Sequence, residues 1–181
     1  MFGLAAKFMK SRSDRLTRLA RMIESLNVRD EAKLHRATSV DRIRPLGALS
    51  LHLLCSDFVN GVNAKLSQPA VTLDPPEWSP EKFNDAGANL IQINLRGRLL
   101  QIAFQSTEQF ESTEDFNKPY VLEGAVRSFN QDLLDLNRID EQQIYFCIEG
   151  EEGKWYFNDR RLYRTGPVDQ KFFIDELEQL L

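Results

Sequence analysis

Between residues 90 and 105 apolar and polar positions alternate. Ile91, Ile93 and Leu95 are separated by Gln92 and Asn94, and beyond Arg96-Gly97 the residues Leu100, Ile102 and Phe104 are separated by Gln101 and Ala103 and followed by Gln105. A period of two on both sides of a glycine-bearing turn predicts a β-hairpin. Its apolar side faces a core and its amide side faces water, as in an antiparallel sheet covered on one face.

The period differs elsewhere. Residues 4–36 lack Gly and Pro, and Leu16, Leu19, Ile23 and Leu26 recur at three- and four-residue intervals. That spacing draws one apolar stripe along a helix. Lys7, Lys10, Arg18 and Arg21 project to the other side, while Arg12 and Arg15 intrude on the apolar one. Asn27 is read as the end of a first helix, Arg29 to Ala37 as a second, and 38–44 as a connector. Pro45 then opens a further helix at the position where its missing N–H costs nothing. There Leu46, Leu49, Leu53 and Leu54 are expected to face the core, with Asn60-Gly61 as the stop. A helix is also expected over Tyr120 to Arg138, where Leu122, Val126, Phe129, Leu133 and Leu136 follow helical spacing despite Gly124.

Residues 67–89 contain four prolines, which exclude a continuous helix or central strand. A short edge strand at Ala70 to Leu73 fits, and Trp78 in this stretch either contacts a partner or plugs the core. Residues 106–118 hold a small duplication: Ser106-Thr107-Glu108-Gln109-Phe110 is echoed by Ser112-Thr113-Glu114-Asp115-Phe116. They read as an acidic, solvated loop whose two phenylalanines dock on the domain or on a partner. Strands follow at Gln143 to Glu149, Lys154 to Phe157 and Leu162 to Thr165. Gly166-Pro167 is a breaker. A closing helix spans Val168 to Leu181, with Asp169 as N-cap and Phe172, Phe173, Leu177, Leu180 and Leu181 on its apolar side.

These elements make an α+β fold: a twisted antiparallel sheet of four to six strands, helices packed on one face, and a helical N-terminal region in front. The division is a basic helical region at 1–44 and a globular domain at 45–181. No βαβ alternation suggests a parallel nucleotide-binding sheet. In element order (helix, three strands, helix, two strands, helix) the chain resembles the small acidic chaperones of bacterial secretion systems. That likeness rests on element order alone.

Composition sharpens the division. The chain has 181 residues, 42% hydrophobic, with twelve Phe, enough for a substantial core. Its net charge is −4, but residues 1–44 hold eleven Lys/Arg against five Asp/Glu, about +6, which leaves about −10 for the rest. Such asymmetry suits a contact with nucleic acid, a membrane surface or an acidic protein face. The basic stretch lacks interleaved aromatics and a helix-turn-helix spacing, so nucleic acid is not favoured. Two cysteines in apolar stretches, Cys55 and Cys147, read as buried free thiols. The apolar run at the N-terminus breaks at Lys7, too short for a signal-peptide core, and a cytoplasmic setting follows by default.

Chemistry-bearing motifs are scarce. P-loop, dinucleotide, nucleophile-elbow and zinc-protease patterns are absent from the sequence. His52 and Cys55 lie three apart on the expected core helix, the raw material of a thiol nucleophile. Their apolar neighbours favour a protonated core thiol instead. A zinc site from His35, His52, Cys55 and Cys147 would need three distant segments and lacks close-spaced ligands. No cofactor, metal site or catalytic residue is assigned. The expectation is a non-enzymatic protein-binding, adaptor- or chaperone-like module that forms a homodimer through its N-terminal helix. Its contact residues are Trp78, Phe110 and Phe116 with Arg12, Arg15, Arg18 and Arg21. The alternatives are a small-molecule pocket or enzyme lidded by residues 67–89, and nucleic-acid binding through the basic helices.

Overall fold

A computed structural model describes residues 2–111, 116, 118–130, 140–149 and 152–181, apart from the side chains at 2–14, 30–38 and 108–111. The elements are α1 (Phe2–Asn63), β1 (Val71–Asp74), a 3-10 turn (Pro80–Lys82), β2 (Asn89–Leu95), β3 (Arg98–Glu111), β4 (Tyr120–Phe129), β5 (Asp140–Glu149), β6 (Glu152–Asp159), β7 (Arg164–Pro167) and α2 (Gln170–Glu178). The chain divides into two units, Met1–Asp41 and Arg42–Leu181. The second holds the sheet.

All seven strands form one antiparallel sheet whose spatial order is the chain order, β1 to β7. The fold is α+β with an antiparallel sheet, as expected, but with seven strands rather than four to six. The additional strand is β4, where a helix was predicted; residues 131–138 of that expected helix lie outside the described ones. Tyr120, Val121, Leu122, Ala125, Val126 and Ser128 are all buried, so this central strand carries apolar residues on both sides. A strand covered on both faces loses the period of two, and Leu122, Val126 and Phe129 then mimic helical spacing. Gly124 is a strand requirement: a Cβ there would lie 2.5 Å from the Ala103 carbonyl oxygen and 2.7 Å from Phe104 Cβ. With β4 a strand, the element order no longer matches that of the secretion chaperones.

The 90–105 hairpin is present. Arg96 (φ 50°) and Gly97 (φ 88°) form its two-residue turn, the left-handed pair that matches strand twist. Ile91, Ile93, Leu100, Ile102 and Phe104 are buried on one face. Cross-strand pairing carries that face through Val126, Ile144, Phe146, Trp155 and Phe157. The part of α1 within the second unit, residues 42–63, and α2 cover it. Trp155 Nε1 donates to the Gly47 carbonyl at 2.8 Å, and a Cβ on Gly47 would lie 2.6 Å from the Phe146 ring. Phe58 of α1 meets Phe173 of α2 at 5.5 Å, and Phe157 stacks on Phe172 at 5.0 Å. Asp169 caps α2 as expected, accepting from the Phe172 N–H at 2.9 Å.

Three further expectations are corrected. Residues 38–44 lie inside α1 rather than in a connector. The core-facing positions of its later turns are Ala48, Leu51, Cys55, Phe58 and Val59, whereas Leu46 and Leu53 face solvent. Pro45 is tolerated inside the helix. Strand β3 runs on to Glu111, so 106–111 is strand rather than loop. The ladder breaks there: Ser106 pairs with Leu122, but the next pair is Glu111 with Tyr120. Arg44, buried on α1, serves main-chain carbonyls at this break. Its Nε donates to Val121 O at 3.2 Å and its Nη2 to Thr107 O, while Nη1 pairs with Asp85 at 3.3 Å.

Candidate functional site

Between Arg15 and Arg29 every side chain of α1 is exposed. Leu16, Leu19, Ile23 and Leu26 keep 60%, 52%, 49% and 53% of their surface in water. Their three-four-three spacing places them along one side of the helix, at the a and d positions of two heptads. Met22 flanks the stripe and is exposed too. At 3.6 residues per turn, Arg15 borders this stripe, and Arg18 and Arg21 fall away from it. The segment thus carries an apolar seam with a basic flank, and Glu24 is its one acidic residue. Large exposed apolar patches on a folded chain mark surfaces that another molecule covers.

The remaining predicted contact residues are dispersed. The side chains of Arg12 and Phe110 lie outside the described residues. Phe116 is buried at 3% exposure, stacked on Tyr145 at 4.4 Å, with Tyr120 and Cys147 beside it. This cluster lies on the sheet face opposite the helices, since Tyr145 alternates with Ile144 and Phe146. Lys118, whose Nζ sits 3.9 Å over the Tyr156 ring, shares Glu149 with Tyr156. The Tyr156 hydroxyl and then the Lys118 ammonium, both donating to Glu149, hold its carboxyl below the usual range. Trp78 is half-buried, 6.0 Å from the His52 ring and 6.2 Å from Phe104, and its Nε1 is buried with no hydrogen-bond partner among the described residues. It packs over the core.

The Cys55–His52 pair is structural. Cys55 is fully buried, and burial pushes its thiol far above the ordinary range. His52 is buried with Nε2 2.8 Å from the Pro75 carbonyl oxygen. Cys147 belongs to the opposite sheet face, where burial raises its thiol to about 12. Both cysteines are free. Among the described residues no group of three or more His, Cys, Asp or Glu is placed to hold a metal ion. Among them too, no helix is long and apolar enough to cross a membrane.

Two cavities formed by described residues lie elsewhere. One sits on the amide-bearing face between Ala103, Gln105, Glu123, Arg127 and Gln143. The other lies between β5–β7 and α2, lined in part by Gln142, Phe157, Phe172 and Glu176. Trp78 lines neither. The second cavity escaped the sequence reading, although one signal was there: Glu176 stands four residues after Phe172 and three after Phe173, on the apolar side of α2. The chain matches no protein-family profile, no curated protein and no solved structure.

Proposed function

We propose that this chain is a non-enzymatic protein-binding module that pairs with a second copy of itself through Leu16, Leu19, Ile23 and Leu26 of α1. The carrying observation is that these four side chains are about half exposed at heptad spacing. Two such seams, one from each copy, are self-complementary in the way a two-fold contact requires. The scarcity of catalytic residue types and the inert setting of Cys55 support a non-enzymatic role. Two buried free thiols support a reducing compartment such as the cytoplasm.

Magnitudes make the association weak. Covering the exposed half of each side chain is worth roughly 1 kcal/mol, so the eight on two copies give about 8 kcal/mol. Lost rigid-body freedom opposes this by at least about 4 kcal/mol. The balance of about 4 kcal/mol corresponds to a dissociation constant of about millimolar.

Sedimentation equilibrium of the full chain tests the reading. The wild type is expected to dimerise with rising concentration, and more strongly with added salt, because Arg15 borders the seam in each copy and brings like charges to the contact. Leu19→Glu with Ile23→Glu should leave monomer, whereas Val28→Glu, off the stripe, should not. A wild type monomeric at millimolar concentration would overturn the reading. If Arg15, Arg18 and Arg21 instead grip phosphates, binding to duplex DNA or anionic vesicles would appear at low salt and fade as salt rises.

A further inference from the structure

The cavity between the C-terminal strands and α2 has a volume of about 240 Å³. One wall is the stacked pair Phe157 and Phe172, extended by Leu162. The opposing chemistry consists of acceptors. Glu176, only 5% exposed, has no hydrogen-bond or ion-pair partner among the described residues. Gln142 Oε1 is buried and likewise without a donor. The neighbouring carboxylates are engaged: Asp159 accepts from the main-chain N–H groups of Arg161 and Leu162, Asp175 from Lys171, and Asp140 from both Arg161 Nη atoms. A buried carboxyl and a buried amide oxygen without donors are costly unless something supplies N–H groups.

We infer that this cavity binds one small organic cation, an alkylguanidinium or alkylammonium group, which donates to Glu176 and Gln142 and lays its alkyl part against Phe157 and Phe172. The aromatic wall suits the alkyl part, which leaves water against the rings, while the Arg164 guanidinium lies 5.8 Å from the Phe157 ring centre. A metal ion would need several carboxylates turned inward, and the neighbouring ones are held elsewhere. The volume lies below that of a drug-sized pocket, so the ligand is a small fragment. This site is independent of the helical seam.

Protonation gives a second handle. Burial first, then Asp140 of β5, Asp159 of β6 and Asp175 on its own helix push the Glu176 carboxyl up to about 7, against the opposing pull of Arg161. Arg164 of β7 also lines the cavity. A bound cation favours the charged carboxylate, so binding releases a proton near neutrality and tightens from about pH 6 to about pH 8.

Isothermal titration of the full chain with agmatine, which carries both groups, tests the assignment. Expected are one site per chain, about tenfold weaker binding in Glu176→Gln and weaker binding in Gln142→Leu. Glu123→Gln, on the opposite sheet face, should bind as wild type, and heats in two buffers should report proton release at about pH 7. Absence of binding, equal weakening in Glu123→Gln, or a magnesium titration with the same dependence on Glu176 would overturn it.

Discussion

Arg44 keeps only 7% of its surface in water while holding two carbonyls at the break between β3 and β4. Truncation to alanine strands both carbonyls in the core and should cost roughly 3 kcal/mol, read from urea unfolding. Arg44→Lys should recover only part of this, since an ammonium cannot span the fork that serves both oxygens. Glu176 acts in the opposite sense. Its carboxyl ordinarily titrates near 4.5 and is raised to about 7 in the folded chain. The folded state therefore holds the proton more tightly, and stability falls as pH rises from about 4.5 through about 7. Glu176→Gln should stabilise the fold by up to about 3 kcal/mol at pH 8 and by almost nothing at pH 4. An equal gain at both values would refute the charge argument. Neither residue was singled out by the sequence reading, although Glu176 stands on the apolar side of its helix. Arg44 serves carbonyls 63 and 77 residues away, and main-chain acceptors leave no mark in a sequence pattern.

At the scale of elements, legibility followed how many faces each element buries. The β2–β3 hairpin was readable because Ile91, Ile93, Leu100 and Ile102 are buried while Gln101 and Gln105 face the wet side. The α2 cap and its phenylalanines were readable for the same reason. Strand β4, apolar on both sides, was not. Nor was the continuity of α1 through 38–44, where helical periodicity has little apolar material to show. The exposed seam of α1 was fully legible as a stripe, but exposure itself was not, since a stripe says only that something covers it. The Gly124 close approach predicts that Gly124→Ala destabilises by about 1–3 kcal/mol, because the obstacle is the Ala103 backbone rather than a flexible side chain. Gly97→Ala, with open space around it but φ 88°, should lose about 1 kcal/mol through backbone strain alone. Thermal unfolding of the two variants ranks them.

For the whole molecule, sheet order that repeats chain order gives every strand a partner next to it in sequence. Hydrogen exchange should be slowest in β3, β4 and β5, the long inner strands, and fastest in β1 and β7. Uniform protection across the sheet would contradict this. Those outer strands are four residues each, and β7 closes on Pro167. Open flanks of a sheet are where one chain templates the next, and fibres grow when that templating repeats. Here the rim is too brief to recruit an extended peptide, and the proline has no N–H to offer one. Crowded solutions of this protein should accordingly yield discrete, dilution-reversible pairs and no thioflavin-positive filaments.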